Sequence, residues 1–377
     1  MRKVVTYFFI FILASCNHVL QDANIIQVDI AKAKSIPFSD WFSCVELIPL
    51  ETNKSSLIYT CDKMEYEHQR FYIHDFRQHA VFVFDSTGTF LFSTLTSMGQ
   101  GPGEYVSITD FCINPYTGNL EILDAFSSLI RVYDKDGTFI KNIILDKNLL
   151  PMGNFIPLSS DLYLFDSPDY EKTKTSIKVF SVSKKEIVKR IVPIYDNTRH
   201  LASPNSVTFS RLNDDVLFSH RFWNNDVYQI DTTAEITGHY QYDFGKYTLD
   251  LKTLPSNRND AFYLRYDETY KDNYIFPYKK PENLKYRFCF FAFKDNLYVS
   301  RQDKENSHLE IISNKFIDGG QILPQSYLDD DYLYNVAEEP SWLKEMLTKE
   351  MLTPEQQEIV SGIKEDDNPI ILRFKIK

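Results

Sequence analysis

Apolar and polar positions alternate along this chain in short runs, and one arrangement of runs occurs twice between residues 70 and 143. The first copy reads FYIHD (71–75) and then VFVFDSTGTFLF (81–92); the second reads LEILD (120–124) and then IRVYDKDGTFIKNI (130–143). Val81 and Val83 alternate with Phe82 and Phe84, and Ile130 and Val132 with Arg131 and Tyr133. Such β-branched and aromatic runs fit a pleated strand. Asp-Ser-Thr-Gly (85–88) and Asp-Lys-Asp-Gly (134–137) then supply turn residues. Glycine takes the positive φ that a strand reversal needs, and aspartate hydrogen-bonds its own backbone. Asp85 to Asp134 and Gly88 to Gly137 each span 49 residues, so the pattern is a repeat. Adding ITDFCIN (108–114) ahead of the second copy gives four strands in about 45–50 residues, the size of one β-propeller blade.

Further units follow at a similar period. DLYLFD (161–166) with IKVFSVSKKEIVKRI (177–191) is the third, and DVLFSH (215–220) with DVYQIDTTAEITGHY (226–240) the fourth. NLYVSR (296–301) with LEIISNKFID (309–318) is taken as the fifth. The strand-ending residues Asp85, Asp134, Ser181 and Asp231 lie 49, 47 and 50 apart, but Ser313 follows only after 82. The excess is assigned to an insertion within 246–286, a surface excursion rich in Tyr, Asn, Asp and Lys. From Pro340 to about residue 364 the pattern turns helical, with Leu343, Met346, Leu347 and Met351 at helical spacing and Thr353-Pro354-Glu355-Gln356 forming a capping-box signature. The Met/Leu stripe is expected to pack against the ring. NPIILRFKIK (368–377) reads as a strand, as do IIQVDI (25–30) and CVELIPLE (44–51). Five blades with unpaired strands at both ends predict an all-β fold: a six-bladed β-propeller over 25–377, closed by N- and C-terminal strands, with short helices near the C-terminus. Deleting the last ten residues is expected to unfold it.

Of the 377 residues, 29 are Phe and 24 Tyr, which suits sheets packed face to face. The formal net charge of −11, with pI near 5.3 and no compensating basic stripe, sets nucleic acid aside as a partner. None of the five cysteines forms a CxxC pair. Cys112 and Cys289 sit in apolar runs and are expected to pack as small hydrophobes, while Cys44 and Cys61 pair only if their backbones meet in an oxidising compartment.

Residues 1–16 have the layout of an export signal: Arg2 and Lys3, an apolar run from Val4 to Leu13, then Ala14-Ser15-Cys16. The run is too short to span a bilayer as a mature helix. Leu13-Ala14-Ser15-Cys16 resembles the bacterial lipobox, in which the cysteine is diacylated; the alternative is an ordinary secretory signal with an incidental cysteine. On the lipobox reading the membrane is a partner through an anchor on Cys16, and 17–24 is a polar tether.

Gly99-Gln100-Gly101-Pro102-Gly103-Glu104-Tyr105 separates the first two units. Together with VFVFDSTGTFL, IPLET (48–52) and the terminal NPIILRFKIK, it makes the chain resemble the six-bladed β-propeller lipoproteins of Bacteroidetes, relatives in shape of NHL-repeat propellers. The resemblance covers about 25–377, with its specific motifs in 48–143 and 368–377. It implies a secreted, ligand- or partner-binding propeller and supplies no catalytic residue set. Asn17-His18-Val19 lacks an acidic export cluster, which points to the outer membrane with the domain facing the periplasm.

The candidate chemistry is sparse. The glycine loop is neither GxxxxGK[ST] nor a strand–GxGxxG–helix, and Glu104 stands where a phosphate would bind; it reads as a crossover between blades. Asp134-Lys135-Asp136-Gly137 lacks the later ligands of a calcium loop, since position 12 is Leu145. The eight histidines contain no HExxH, and no GxSxG is present. His74 and His220 occupy equivalent places in units one and four, and Asp329–Asp331 reads as a solvated acidic run. No metal or other cofactor is implied. Topology offers one positive argument: loops from the second to the third strand of each blade share a face with the crossovers. That face is expected to carry Arg77, Gln78, Gln100, Glu104, Phe126, Asp169, Tyr170, Arg221, Phe222, Trp223, Asn224 and Arg301. Aromatic, guanidinium and amide groups around a concave mouth suit a glycan, a peptide or a protein partner. The leading expectation is therefore a non-catalytic binding or scaffolding propeller of the cell envelope. The alternative is a hydrolase or lyase acting on a glycan or lactone with a metal in the central channel; a purely structural envelope subunit is a third.

Overall fold

The computed structural model describes residues 23–195, 198, 207–220, 223–254, 267–324, 327–339, 342–343 and 346–377. Residues 1–16, expected above to be an export signal ending at Cys16, and the predicted site residues Arg221 and Phe222 lie outside the described residues.

The described residues form six sheets, each ordered from an inner strand at the axis to an outer one. Blade one comprises Lys63–Glu67, Arg70–Asp75, Ala80–Asp85 and Phe90–Ser93. Blade two comprises Asp110–Ile113, Leu120–Asp124, Leu129–Tyr133 and Phe139–Ile144. Blade three runs through Phe155–Pro157, Leu162–Asp169, Thr175–Ser181 and Glu186–Pro193. Blade four runs through Phe209–Leu212, Asp215–Ser219, Asp226–Ile230 and Ile236–Asp243. One six-bladed propeller results, as the alternation predicts.

The repeated aspartates explain the period. At the third-to-fourth-strand hairpins the Oδ1 atoms of Asp85, Asp134 and Asp231 each accept from the backbone N–H groups two and four residues on, at 2.8–3.0 Å. Gly137, at φ +83°, completes its turn in a conformation that L side chains rarely adopt. Middle strands are buried on both faces, so they read as near-continuous apolar runs. Phe71–Asp75 and Ala80–Phe84 are buried throughout.

Each of the six interblade interfaces holds one apolar cluster. Between blades one and two it joins Tyr72, Val81 and Val83 to Phe111, Ile122 and Tyr133; between blades five and six it joins Phe288, Phe290 and Val299 to Trp41, Leu333 and Phe374. Cys112 and Cys289 are buried in such clusters. Cys44 lies exposed on an outer strand, whereas Cys61 borders the channel; neither is in a disulfide.

Blade five departs from the expected assignment by one strand. Its strands are Phe276–Lys279, Tyr286–Phe293, Asn296–Asp303 and Leu309–Ser313. NLYVSR is thus part of its third strand and not its second. The equivalent of Asp231 is Asp303, whose Oδ1 accepts from Glu305 N at 2.8 Å, and Ser313 ends the fourth strand. The span 246–286 accordingly contains the inner strand of this blade. Its crossover also buries Leu249, Leu251 and Leu254 with Trp223 and Phe276.

Blade six is closed by both ends of the chain. Ile370–Ile376 lies between Tyr332–Ala337 and Phe42–Pro49, antiparallel to both, with Phe374 opposite Leu333 and Val45. The innermost strand is Tyr327–Leu328. The Asp329–Asp331 run is solvent-exposed at Asp330 and Asp331, as expected. It is the turn joining the two inner strands, with Asp329 accepting from Asp331 N, Tyr332 N and the Tyr334 hydroxyl. The segment Asn24–Gln27 does not join this blade. It adds a fifth strand to blade four, parallel to Ile236–Asp243, because that placement buries Ile26 and Val28 in the next interface. Between the second and third strands of blade six, the helix Pro354–Gly362 carries the predicted capping box, and Leu343, Met346 and Leu347 pack into the core.

Candidate functional site

Loops between second and third strands share one face, here the upper one, with the crossovers between blades. A groove of 730 Å³ opens there between blades three and four. Its walls are the crossover around Lys147–Pro151, the blade-three loop Pro168–Lys172, the segment Pro193–Tyr195 and the blade-four residues His220 and Asn224.

Local structure sets each group. Asp169 folds the loop around itself, accepting from Lys172 N at 2.9 Å, Glu171 N at 3.2 Å and the Thr173 hydroxyl at 3.1 Å. These bonds, the one from Lys172 N foremost, hold its carboxyl below the usual range. Lys178 is buried in the third strand of blade three, with Nζ donating to Asn148 O at 2.8 Å. Burial lowers its pKa, against the attraction of Asp169. His220 meets Ser176 Oγ at 3.1 Å through Nδ1 and packs its ring edge-on to Phe218 and Tyr228. Burial pushes it down to about 4, outweighing the pull of Asp226, so it is a neutral imidazole at pH 7. Asn224 turns the chain by accepting from Asp226 N at 2.7 Å. Tyr195 has one face covered by Lys252 Nζ at 5.2 Å. Aromatic, amide, imidazole and charged groups of both signs therefore converge on one concavity.

Of the residues expected on this face, Asp169, Tyr170 and Asn224 line the groove. Arg77, Gln100 and Phe126 are exposed on the upper face but over blades one and two, with Phe126 84% exposed. Glu104 braces its own loop: Oε2 accepts from Gly101 N at 2.8 Å. Gly103, at φ +80°, has room for no Cβ, which would stand 2.6 Å from the Phe139 ring. The glycine stretch is thus a tight crossover. Trp223 is buried, edge-on to Phe276 at 5.3 Å. Arg301 does not reach this face at all. It sits in the lower half of its strand, bonded to Glu310 at 3.0 Å and stacked between the Trp41 and Tyr286 rings. The one-strand shift in blade five is the cause. Sequence reasoning missed Asn148, Lys178, Arg190, Tyr195 and His220. Lys178 did leave a signal, a cation inside the apolar strand run IKVF.

A family model described as a domain of unknown function, DUF4934, matches residues 23–375. The chain belongs to that family. Among solved structures, a Bacteroides fragilis protein described as exported superposes with a TM-score of 0.73 at 19% identity, over 94% of this chain and 100% of its own. A member of the DUF4221 family from Bacteroides vulgatus follows with a TM-score of 0.55 at 13% identity, over 89% of this chain and 97% of its own. These likenesses carry the fold, and with the family they bear out the resemblance to Bacteroidetes propellers. No curated protein matches the chain.

The axis of this DUF4934 propeller holds a second cavity, of 420 Å³, bounded by the inner strands. Carboxylates face it, but two are already engaged. Glu65 pairs with Lys63 at 3.0 Å, and Lys63 also holds Asp110 at 2.9 Å. Glu282 is held by Lys304 at 2.6 Å and Arg287 at 3.1 Å. Among the described residues, no three His, Cys, Asp or Glu side chains are grouped to hold a metal ion.

Proposed function

We propose that this DUF4934 chain is a non-catalytic binding propeller of a bacterial cell envelope, holding a polar organic ligand, a glycan or peptide, in the groove between blades three and four. The carrying observation is the groove itself: 730 Å³ with Tyr170, Asn148, Asn224, Lys178 and Arg190 on its walls. Pockets of this size, with aromatic walls and a few placed polar groups, are those that bind organic ligands. The relative described as exported supports an envelope location. The Arg2-Lys3, apolar run and Leu-Ala-Ser-Cys order of the N-terminus supports lipid attachment at Cys16.

Thermal unfolding of the purified protein against oligosaccharides and peptides tests the binding reading. A ligand at 100 times its dissociation constant adds about 2.7 kcal/mol, and Tyr170→Ala with Asn224→Ala should remove that shift. A shift that survives both substitutions would place the ligand elsewhere. For the anchor, metabolic labelling with palmitate should mark the wild-type chain and leave Cys16→Ser unlabelled.

A further inference from the structure

The groove between blades three and four contains a pair of cations that the fold itself sets side by side. Lys178 and Arg190 stand directly opposite each other in the ladder between the third and fourth strands of blade three. Both side chains therefore leave the same face of the sheet, and both line the groove. Like charges placed this way destabilise a sheet. Lys178 is only 5% exposed, and its Nζ gives one donor to Asn148 O at 2.8 Å. Burial foremost lowers its pKa; Asp169 draws it back up and Arg190 presses it down. Lys189, on the other face of the same strand, pairs with Glu235 at 2.6 Å. Among the described residues, neither Lys178 nor Arg190 has a carboxylate at ion-pair distance. The carboxylates around them are committed. Asp169 accepts from its own loop, and Asp146 Oδ1 accepts from Asn148 N at 2.8 Å and Asn148 Nδ2 at 2.9 Å. Asp166 and Glu171 are not free. With Lys147 and Lys172 also on the walls, four cations face the three carboxylates of Asp166, Asp169 and Glu171, in a chain whose net charge is −11.

We infer that the ligand of this groove is an acidic oligosaccharide, its carboxylate or sulfate held between Lys178 Nζ and the Arg190 guanidinium; the inference rests on the groove being the binding site. An ammonium and a planar guanidinium form charge-assisted hydrogen bonds to an oxyanion, and the guanidinium can do so with two parallel donors. The other walls fit a sugar better than a peptide. Tyr195 is 41% exposed and has Lys252 over one face, which presents an aromatic surface to the apolar side of a pyranose. Asn224 Oδ1 is taken by Asp226 N, which leaves the amide Nδ2 to donate to a hydroxyl. A peptide that adds to a sheet needs open backbone donors and acceptors. Here Pro151, Pro168 and Pro193 carry no N–H, and Ile194 N is already bonded to Lys174 O at 3.0 Å.

Isothermal titration at constant ionic strength tests this with alginate and carrageenan tetrasaccharides, which carry carboxylates and sulfates respectively. Mannotetraose and neoagarotetraose are the uncharged counterparts, and tetraglutamate is the acidic peptide. Wild type should bind at least one acidic sugar about tenfold or more tighter than its counterpart, the worth of one charged hydrogen bond. Binding of alginate alone would identify a carboxylate as the group held, and of carrageenan alone a sulfate. Arg190→Gln, at an exposed position of the outer strand, should weaken acidic binding about tenfold. Lys178→Gln/Arg190→Gln should weaken it further, with neutral affinities unchanged. Lys184→Gln, an equal loss of charge at the exposed hairpin of the same blade, should bind as wild type does. Binding of neither acidic sugar, equal affinity for acidic and neutral sugars, or tighter binding of tetraglutamate would each overturn the inference. So would unchanged affinity in Arg190→Gln or equal weakening by Lys184→Gln. Arg190→Gln empties no buried space, so the test stands even if the double variant fails to fold. Tyr170→Ala with Asn224→Ala separates the two readings. Binding abolished by that pair but untouched by Arg190→Gln would keep the groove as the binding site and refute its preference for anions. Acidic binding that survives both would refute both.

Discussion

Replacing Phe374 with alanine tests how the ring is closed. The side chain is wholly buried, with its ring 5.5 Å from that of Phe42 and 5.7 Å from that of Phe38. It stands opposite Val45 on one side and Leu333 on the other, in the strand that joins the two ends of the chain. Truncating a buried Phe costs about 3–5 kcal/mol, as lost transfer energy plus the cavity left behind. Phe374→Ala is expected near the middle of that range, since flanking aromatic rings close poorly over a void. Against a typical domain stability of about 5–15 kcal/mol, such a loss is large. Urea unfolding followed by tryptophan fluorescence is the assay, with Trp41 in the same cluster as a local reporter. Leu91→Ala, on the exposed outer strand of blade one, is the control and should stay within about 0.5 kcal/mol. Closure makes a second demand. Limited proteolysis of Phe374→Ala should release Phe42–Pro49 and Ile370–Ile376 together, since each is the other's partner. A destabilisation below about 1 kcal/mol, or release of one strand without the other, would refute this account of closure.

Arg301→Ala should cost about 1–3 kcal/mol in urea unfolding through lost stacking on Trp41 and Tyr286 and a lost charged hydrogen bond to Glu310, which keeps its bond from Trp41 Nε1, and should leave ligand-dependent thermal shifts unchanged. His220 titrates at about 4 in the folded chain against 6.5 when unfolded. Stability from this group is therefore complete above pH 6.5 and falls as pH drops from 6.5 towards 4; His220→Asn should flatten that part of the stability–pH curve, as urea midpoints would show. Asp134 is also shifted down, held below 3.8 chiefly by the Thr138 backbone N–H, which favours its charged form. Its contribution is present above 3.8 and lost below it, so Asp134→Ala should lower stability at pH 7 and remove part of the acid-side slope.

The first four blades were legible because each ends its third strand on an Asp or Ser that bonds its own turn, at intervals of 47–50 residues. Blade six was less so. Its strands come from both ends of the sequence, its inner turn is an acidic triplet, and a helix interrupts it. The strand at Asn24–Gln27 was read from IIQVDI, but not its partner: it pairs with the outer strand of blade four and not with the closing blade, and four residues carry no pattern that names a neighbour. In blade five a surplus strand-like run shifted the count by one, which carried Arg301 to the wrong face. The upper face itself follows from topology, but six sectors share it. Which sector opens depends on the crossovers around 147–151 and 193–195, whose conformations no short-range pattern encodes.

The parallel strand Asn24–Gln27 also sets a compass bearing. It climbs beside Ile236–Asp243 from the lower towards the upper face, so the polypeptide reaches blade four from below. Should Cys16 carry acyl chains, the stretch from there to Asn24 is a leash of no more than about 25–30 Å even when fully extended. On so short a leash the underside of blade four hangs nearest the lipid. The groove between blades three and four then looks outward into the aqueous space, where a diffusing molecule meets it first.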